Sequence, residues 1–383
     1  MRRTLTAVLL SCAALLAVGA AASAYEPGRV LFTFADERIE ESSGLVASSV
    51  SDGWVFTHND SGDEARFYVV DRRGRTLARH TMPGVDADDW EDIARGPDEK
   101  GRSSLWLGDI GDNAMMRPGI VVYRVPEPAV DPTRTGLDVR TPAPSVFRLR
   151  YEDVPHDAEA LLVHPRSGQL FVVTKTYLGQ SSLYAAPQPL RADAVNTLTR
   201  VADLVFTTTG TPGGAQFGPG ANLAVTGGDI APSGDRVALR TYTDLYEWAL
   251  PDGDVAAALQ PLRPRVRTPL PATVQGEAVG YTRDGRSVLV STEGVGAPVH
   301  LLAEAAVAPV AAPASPAGLS AAPAPAPVEE PGEQPADAVG ARRGLPATGL
   351  EQAAPALGAA VLLGVLLLRR HRLRRATTYA PGR

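Results

Sequence analysis

The feature that most constrains the fold is a pattern that recurs five times in the middle of the chain. Each copy holds a polar or acidic residue, a small apolar pair, a turn rich in Pro, Asp or Gly, and then a short apolar run. Successive copies lie 48, 68, 69 and 49 residues apart when they are aligned on Ser43, Glu91, Glu159, Gly228 and Glu277. The runs, such as 169–174 and 287–291, are β-branched, and no long 3.6-residue apolar stripe interrupts them. The pattern therefore predicts an all-β chain built from repeated units.

A unit of about 40–50 residues that contains four strands is the blade of a β-propeller. The last copy ends near Ala303 without a fourth strand, while a lone apolar strand at 29–35 precedes the first copy. We expect this N-terminal strand to complete the last blade, because closing the ring removes an open sheet edge. The sequence predicts five WD40-like blades, with six as the alternative if one of the longer steps hides a degenerate blade.

The Glu-Gly/Ala-hydrophobic steps at residues 159–161 and 277–279 resemble those of certain known propellers. The similar families are the esterase-like phytase, strictosidine-synthase and surface-repeat groups, in which such steps open the inner strand of each blade. The resemblance covers roughly residues 38–302. It implies a fold and says little about a substrate.

A propeller would gather carboxylates at one mouth of its central channel, where the first strand of each blade begins. The carboxylates at these positions are Glu41, Asp89, Glu91, Asp92, Asp157, Glu159, Asp229 and Glu277. Adjacent buried carboxylates need compensating charge or hydrogen bonds. We expect either a polar plug, in which Lys175, Arg240 and His58 pair with Glu91, Glu159 and Glu293, or a bound cation.

Two loops, 58–63 and 108–113, supply oxygen donors and glycines suited to Ca²⁺. Their candidate metal ligands are Asp60, Asp63, Asp109, Asp112 and Asn113. The spacing is not that of an EF-hand. In the alternative interpretation, Asn, Asp and Gly are ordinary turn formers at these positions.

Signatures of catalysis are few. The chain contains no G-x-S-x-G, H-E-x-x-H, P-loop or Rossmann motif. If the protein is an enzyme, we expect a Ca²⁺-dependent hydrolase of phosphate esters or lactones at the acidic mouth. Its candidate catalytic residues are His58, Glu91, Glu159 and Glu277. The sequence lacks a basic cluster for a phosphate substrate, so a binding module is the main hypothesis, with its extracellular ligand unknown.

The C-terminus carries the most specific motif. Leu345, Pro346, Ala347, Thr348 and Gly349 precede an apolar segment at 350–368 and a basic tail at 369–383. These three parts resemble the sorting signal of sortase substrates in Gram-positive bacteria. The resemblance implies that a sortase transpeptidase cleaves after Thr348 and links this residue to peptidoglycan, following a transient single-pass membrane stage. A permanent membrane anchor is the alternative.

The N-terminus predicts export. Two arginines, an apolar stretch and the Ala22-Ser23-Ala24 cleavage site form a signal peptide at residues 1–24. A lipoprotein anchored through Cys12 is the alternative, although its lipobox is weak. Because Cys12 is the only cysteine, cleavage leaves a mature chain without thiols or disulfides.

The domain organisation follows from these signals. We expect an extracellular propeller at residues 25–304, which a disordered Ala/Pro-rich stalk at residues 305–344 displays on the cell wall. The propeller segment holds 27 basic and 38 acidic residues, a net charge of −11, so nucleic acid is excluded as a partner.

Overall fold

The computed structural model describes residues 25–260 and 265–304, which form an all-β chain. The segments predicted at 1–24 and 305–383 lie outside the described residues. In the described part of the chain, no helix combines the length and the apolar character needed to cross a membrane.

The strands form five blades, and the strands of each blade follow one another from the channel outwards. Before the first blade comes β1 (Arg29–Thr33). Blade 1 contains β2 (Ser42–Ala47), β3 (Val55–Asn59), β4 (Arg66–Val70) and β5 (Thr76–Thr81). Blade 2 contains β6 (Trp90–Pro97), β7 (Ser103–Asp109), β8 (Ile120–Pro126) and β10 (Ser145–Tyr151), and β9 (Leu137–Arg140) lies between its last two strands in sequence. Blade 3 contains β11 (Ala158–Val163), β12 (Leu170–Thr174), β13 (Gln180–Ala185) and β14 (Val195–Val205). Blade 4 contains β15 (Val225–Ile230), β16 (Arg236–Thr241), β17 (Asp244–Ala249) and β18 (Val266–Pro269). Blade 5 contains β19 (Gly276–Tyr281), β20 (Val288–Thr292) and β21 (Pro298–Leu302). A 3-10 helix (Ala215–Asn222) precedes blade 4, and α1 (Val255–Ala258) lies between β17 and β18 in sequence.

The N-terminal strand closes the ring, as the sequence predicted. Strand β1 pairs antiparallel with β21, with Arg29 opposite Leu301 and Thr33 opposite Pro298. Tyr25 and Glu304 form a further antiparallel bridge. The outer edge of β21 is therefore covered by a strand from the other end of the domain.

The inner strands β2, β6, β11, β15 and β19 pack side by side, and β19 packs against β2. Each of the five interfaces between adjacent blades holds its own cluster of buried apolar side chains. Close packing limits side-chain size on the inner strands: a Cβ at Gly280 would lie 2.3 Å from the carbonyl oxygen of Leu45 in the neighbouring blade. Since a blade has no core of its own, the domain is stable only as a ring.

The two long repeat steps contain insertions and no sixth blade in the described residues. In the first step, β9 leaves blade 2 and pairs in parallel with β5 at the outer edge of blade 1. In the second step, a long β14 pairs in parallel with β10 of blade 2, and the loop with the 3-10 helix follows. The six-bladed alternative is therefore wrong.

Candidate acidic site in the propeller channel

A β-bulge interrupts the pairing of every inner strand with the second strand of its blade. The residues in the bulges include Ser43, Glu91, Glu159, Thr226 and Glu277. The fourth repeat therefore aligns on Thr226, two residues before the Gly228 that the sequence pattern indicated. A bulge re-aims the side chain of the extra residue, and in this ring it recurs where the inner strands meet the channel.

Carboxylates from blades 1, 2 and 3 converge at these bulges. Oxygen atoms of Asp60, Asp89 and Glu91, which we call the Asp60 triad, lie within 4.8 Å of one another. Oxygens of Glu91, Asp157 and Glu159, the Glu159 triad, meet the same limit, so the two triads share Glu91. The predicted gathering of carboxylates is thus observed for Asp89, Glu91, Asp157 and Glu159. Asp92 and Asp229 instead accept hydrogen bonds from the backbone N–H groups of Leu161 and Tyr281 in neighbouring blades.

Burial and mutual repulsion make ionisation of these carboxylates costly. Burial raises the pKa of Glu91 well above its usual range, and the charges of Glu159, Asp60 and Asp89 raise it further, while Lys175 opposes them. Burial, with help from the charge of Glu293, raises the pKa of Glu277 to about 8. The channel therefore favours either protonated carboxyls or a positive ligand.

Lys175 supplies an internal cation on one side of the channel. Its ammonium forms an ion pair with Glu159, and both side chains are nearly buried, at 6% and 4% exposure. It also lies 5.9 Å and 5.4 Å from the ring centres of Tyr177 and Tyr242. Burial opposes charge on Lys175, but the Glu159 carboxylate together with smaller contributions from Tyr242, Tyr177 and Glu277 outweighs it and raises the pKa of Lys175. This pair is the part of the expected polar plug that forms.

Arg240 and His58 do not join that plug. The buried Arg240 guanidinium donates to backbone carbonyls, among them those of Ala278 at 2.8 Å and Ser291 at 3.1 Å. His58 is fully buried, its ring packs edge-on against Trp90, and burial lowers its pKa to about 4. Its Nδ1 atom lies 2.9 Å from the backbone carbonyl of Asn59, and neither carboxylate triad includes the ring.

The loop residues considered as metal ligands separate into different environments. Asp63 accepts hydrogen bonds from Asn59 and Tyr68 and pairs with Arg66. Asp109 pairs with Arg117 at 2.7 Å. Asp112 accepts from the backbone N–H of Arg117 at 2.6 Å, and Asn113 is exposed. Of the five loop candidates, only Asp60 belongs to a carboxylate triad.

The glycine-rich segment at residues 210–220, before blade 4, forms part of the channel mouth. Its 3-10 helix places Phe217 on the ring of Tyr242, with centroids 4.2 Å apart, and 5.7 Å from the ring of Tyr177. Sequence reasoning missed this aromatic wall because its three rings come from separate blades and linkers.

The two faces of the ring differ in charge. The acidic face, defined by the links into each inner strand and the turns after each second strand, carries one exposed basic residue, Arg38, in the described turns. Its exposed carboxylates are Glu37, Glu40, Glu64, Asp86, Asp88, Glu152 and Asp153. On the opposite face the exposed basic residues are Arg72, Arg73, Arg75, Lys100, Arg102, Arg134, Arg166, Arg191, Arg283 and Arg286.

Large apolar side chains are also exposed on the acidic face. They are Met115, Met116, Val154, Leu178, Val274 and Val295, with exposed fractions between 57% and 87%. Met115 adopts a left-handed backbone conformation, φ 52°, in the turn after β7. Such a conformation costs free energy in a residue other than glycine and often accompanies a functional loop.

Comparisons with known proteins do not assign the chain to a family. No protein-family model matches the chain, and no curated protein matches it. Among solved structures, the chain is similar to the crystal structure of the RRP9 WD40 repeats, with 11% identity, 73% of this chain and 98% of that chain covered, and a TM-score of 0.36. A TM-score this low does not support an argument about the fold, so the assignment as a propeller depends on the strand pairing alone.

Proposed function

We propose that this protein is a binding module, exported and attached to the wall of a Gram-positive cell, whose acidic face binds a cationic segment of another protein. The observation that carries the proposal is the difference between the two faces. The acidic face carries seven exposed carboxylates and one exposed arginine in its described turns, whereas exposed arginines and exposed carboxylates are mixed on the opposite face. An acidic surface selects cationic partners and speeds their association.

The exposed apolar side chains support a protein partner over a small cation alone. Leu178 and Met116 are 87% and 79% exposed on the acidic face. Isolated apolar residues on a surface need no explanation, but several around one mouth are typical of interaction sites. Methionine suits such a surface because its flexible thioether adapts to varied partners.

The point at which the chain leaves the propeller is compatible with attachment through Thr348. Tyr25 and Glu304, at the two ends of the propeller, are bridged to each other. Strand β21 runs from the acidic face to the opposite face, so the chain leaves the ring at Glu304 on the arginine side. The acidic face is therefore the face opposite the point at which the described chain leaves the ring.

Surface plasmon resonance with the propeller, residues 25–304, and a synthetic lysine–leucine peptide tests the binding proposal. We expect salt-sensitive binding that is weakened in the double variant Asp86→Lys/Asp88→Lys and in Leu178→Ser. The matched control Asp52→Lys/Asp252→Lys makes an equal change in net charge on the opposite face. Equal losses in both charge variants, or no binding by the unmodified domain, would contradict the proposal.

A metal-dependent hydrolase is a second candidate, favoured by the two carboxylate triads. Hydrolysis would require the triads to hold a metal that activates water. Turnover of p-nitrophenyl phosphate and of a γ-lactone with added calcium, compared with Glu91→Gln, tests this function. Rates equal to those of the variant would contradict it.

A further inference from the structure

The two carboxylate triads differ in their supply of positive charge. In the Glu159 triad, Lys175 already forms an ion pair with Glu159. Near the Asp60 triad, the Arg117 guanidinium pairs with Asp109 and donates to the carbonyl of Gly111. Burial and the surrounding negative charges together raise the pKa of Asp60 well above its usual range. Arg117 also feels the charge of Asp89, so in the described structure this one guanidinium stands beside four carboxylates, those of Asp109 and the Asp60 triad.

We propose that the Asp60 triad binds one divalent cation of the calcium class, with Asp60, Asp89 and Glu91 as its protein ligands. The separation of the oxygens suits such an ion. Calcium lies about 2.3–2.6 Å from its oxygen ligands, so two oxygens on opposite sides of it are roughly 5 Å apart. The three oxygens, within 4.8 Å of one another, fit around one ion.

Unpartnered oxygens in the channel support the site independently. Oδ1 of Asp60 is buried and has no hydrogen-bond partner in the described structure. Oε2 of Glu277, whose residue is 2% exposed, is also buried without a partner. Glu277 adds its negative charge to those acting on Asp60. Buried carboxylate oxygens require a partner, and a cation supplies one.

The backbone holds the site in place. The Asp60 N–H donates to the carbonyl of Glu41 at 3.1 Å, and the Asp60 carbonyl accepts from Trp90 of blade 2 at 3.1 Å. Gly111 lies beside the carboxylates: a Cβ there would be 2.2 Å from Oε1 of Glu91 and 2.7 Å from Oδ2 of Asp89. A side chain at this position would occupy the space that the ligands need.

Isothermal titration calorimetry of calcium chloride into the EDTA-treated propeller tests the proposal. The ring closes within residues 25–304, which therefore suffice. We expect one calcium per chain, with affinity reduced by more than about tenfold in Asp60→Asn and in Gly111→Ala. The matched control, Asp86→Asn, removes an exposed carboxylate of the same face and should bind as the unmodified domain does.

Thermal unfolding separates lost binding from lost folding. Asp60→Asn removes a buried negative charge, so without calcium it should melt no lower than the unmodified domain. Calcium should raise the melting temperature of the unmodified domain and of Asp86→Asn, but not that of Asp60→Asn. No calcium binding by the unmodified domain, or equal binding by Asp60→Asn and Asp86→Asn, would overturn the proposal.

Discussion

The hydroxyl of Tyr25 donates a 2.8 Å hydrogen bond to Oε1 of Glu247, a residue of blade 4 that lies 222 positions further along the chain. Tyr281 of blade 5 donates to the same oxygen at 2.7 Å. Tyr25 is the first residue after the predicted signal-peptide cleavage and is 4% exposed. Tyr25, at the start of the propeller, thus contributes to a contact between the two blades that are synthesised last.

Replacing Tyr25 by Phe should lower the free energy of unfolding by about 1.5–2 kcal/mol, because it removes a hydrogen bond to a buried carboxylate. Urea denaturation measures this change. Tyr151→Phe is a matched control, since the Tyr151 hydroxyl is buried and has no hydrogen-bond partner among the described residues, so its removal should cost nothing. Equal effects of the two substitutions would show that the Tyr25 hydroxyl does not contribute to closure.

Stability should fall in mild acid because of His80. Burial lowers the pKa of His80 from 6.5 to about 4, and its ring stacks on Phe67 with centroids 5.0 Å apart. Below pH 6.5 the unfolded chain binds a proton at His80, but the folded chain does not until about pH 4. The free energy of unfolding contributed by this group is therefore lost as the pH falls through that window.

The variant His80→Phe keeps an aromatic ring and cannot be protonated. It should reduce the loss of stability between pH 6.5 and pH 5 by about 2 kcal/mol, as measured by urea denaturation at both values. If the variant loses as much stability as the unmodified domain, His80 is not the group responsible.

The ion pair between Lys175 and Glu159 should be strongly coupled. In calcium-free buffer, Lys175→Met leaves the Glu159 carboxylate buried without its cation and should destabilise the domain by about 3–5 kcal/mol. The double variant Lys175→Met/Glu159→Gln should recover most of that loss, because the carboxylate is then neutral. A double-mutant cycle by urea denaturation measures the coupling, and purely additive effects would refute it.

Sorting should depend on Thr348. Thr348→Ala removes the hydroxyl-bearing residue that the sorting signal requires, so the protein should move from the wall fraction to the membrane fraction of Gram-positive cells that express it with sortase. Immunoblotting of the two fractions measures the shift. Ala347→Ser, at the variable position of the motif, is the matched control; an unchanged distribution of Thr348→Ala would favour a permanent membrane anchor.

The sequence was informative about the fold because a propeller repeats local patterns. The lone strand at 29–35 and the incomplete last repeat predicted ring closure, and β1 pairs with β21 accordingly. The number of blades was less certain, because the length of a step does not reveal where an insertion packs. Strand β9 lies in the second repeat but extends blade 1, a placement that depends on pairing between strands more than 50 residues apart.

The sequence predicted that acidic residues gather in the channel, but it did not predict which of them lie close together. By itself the sequence determined the strand repeat, the blade closure and the gathering of acidic residues, since each follows from local alternation and repeat position. Only the tertiary structure decided that Asp60 meets Asp89 and Glu91, that Asp63 and Asp109 pair with arginines, and that Lys175 compensates Glu159. These contacts depend on the directions in which the bulges orient side chains across the channel. Distances of a few ångströms between blades leave no pattern in the order of residues along the chain.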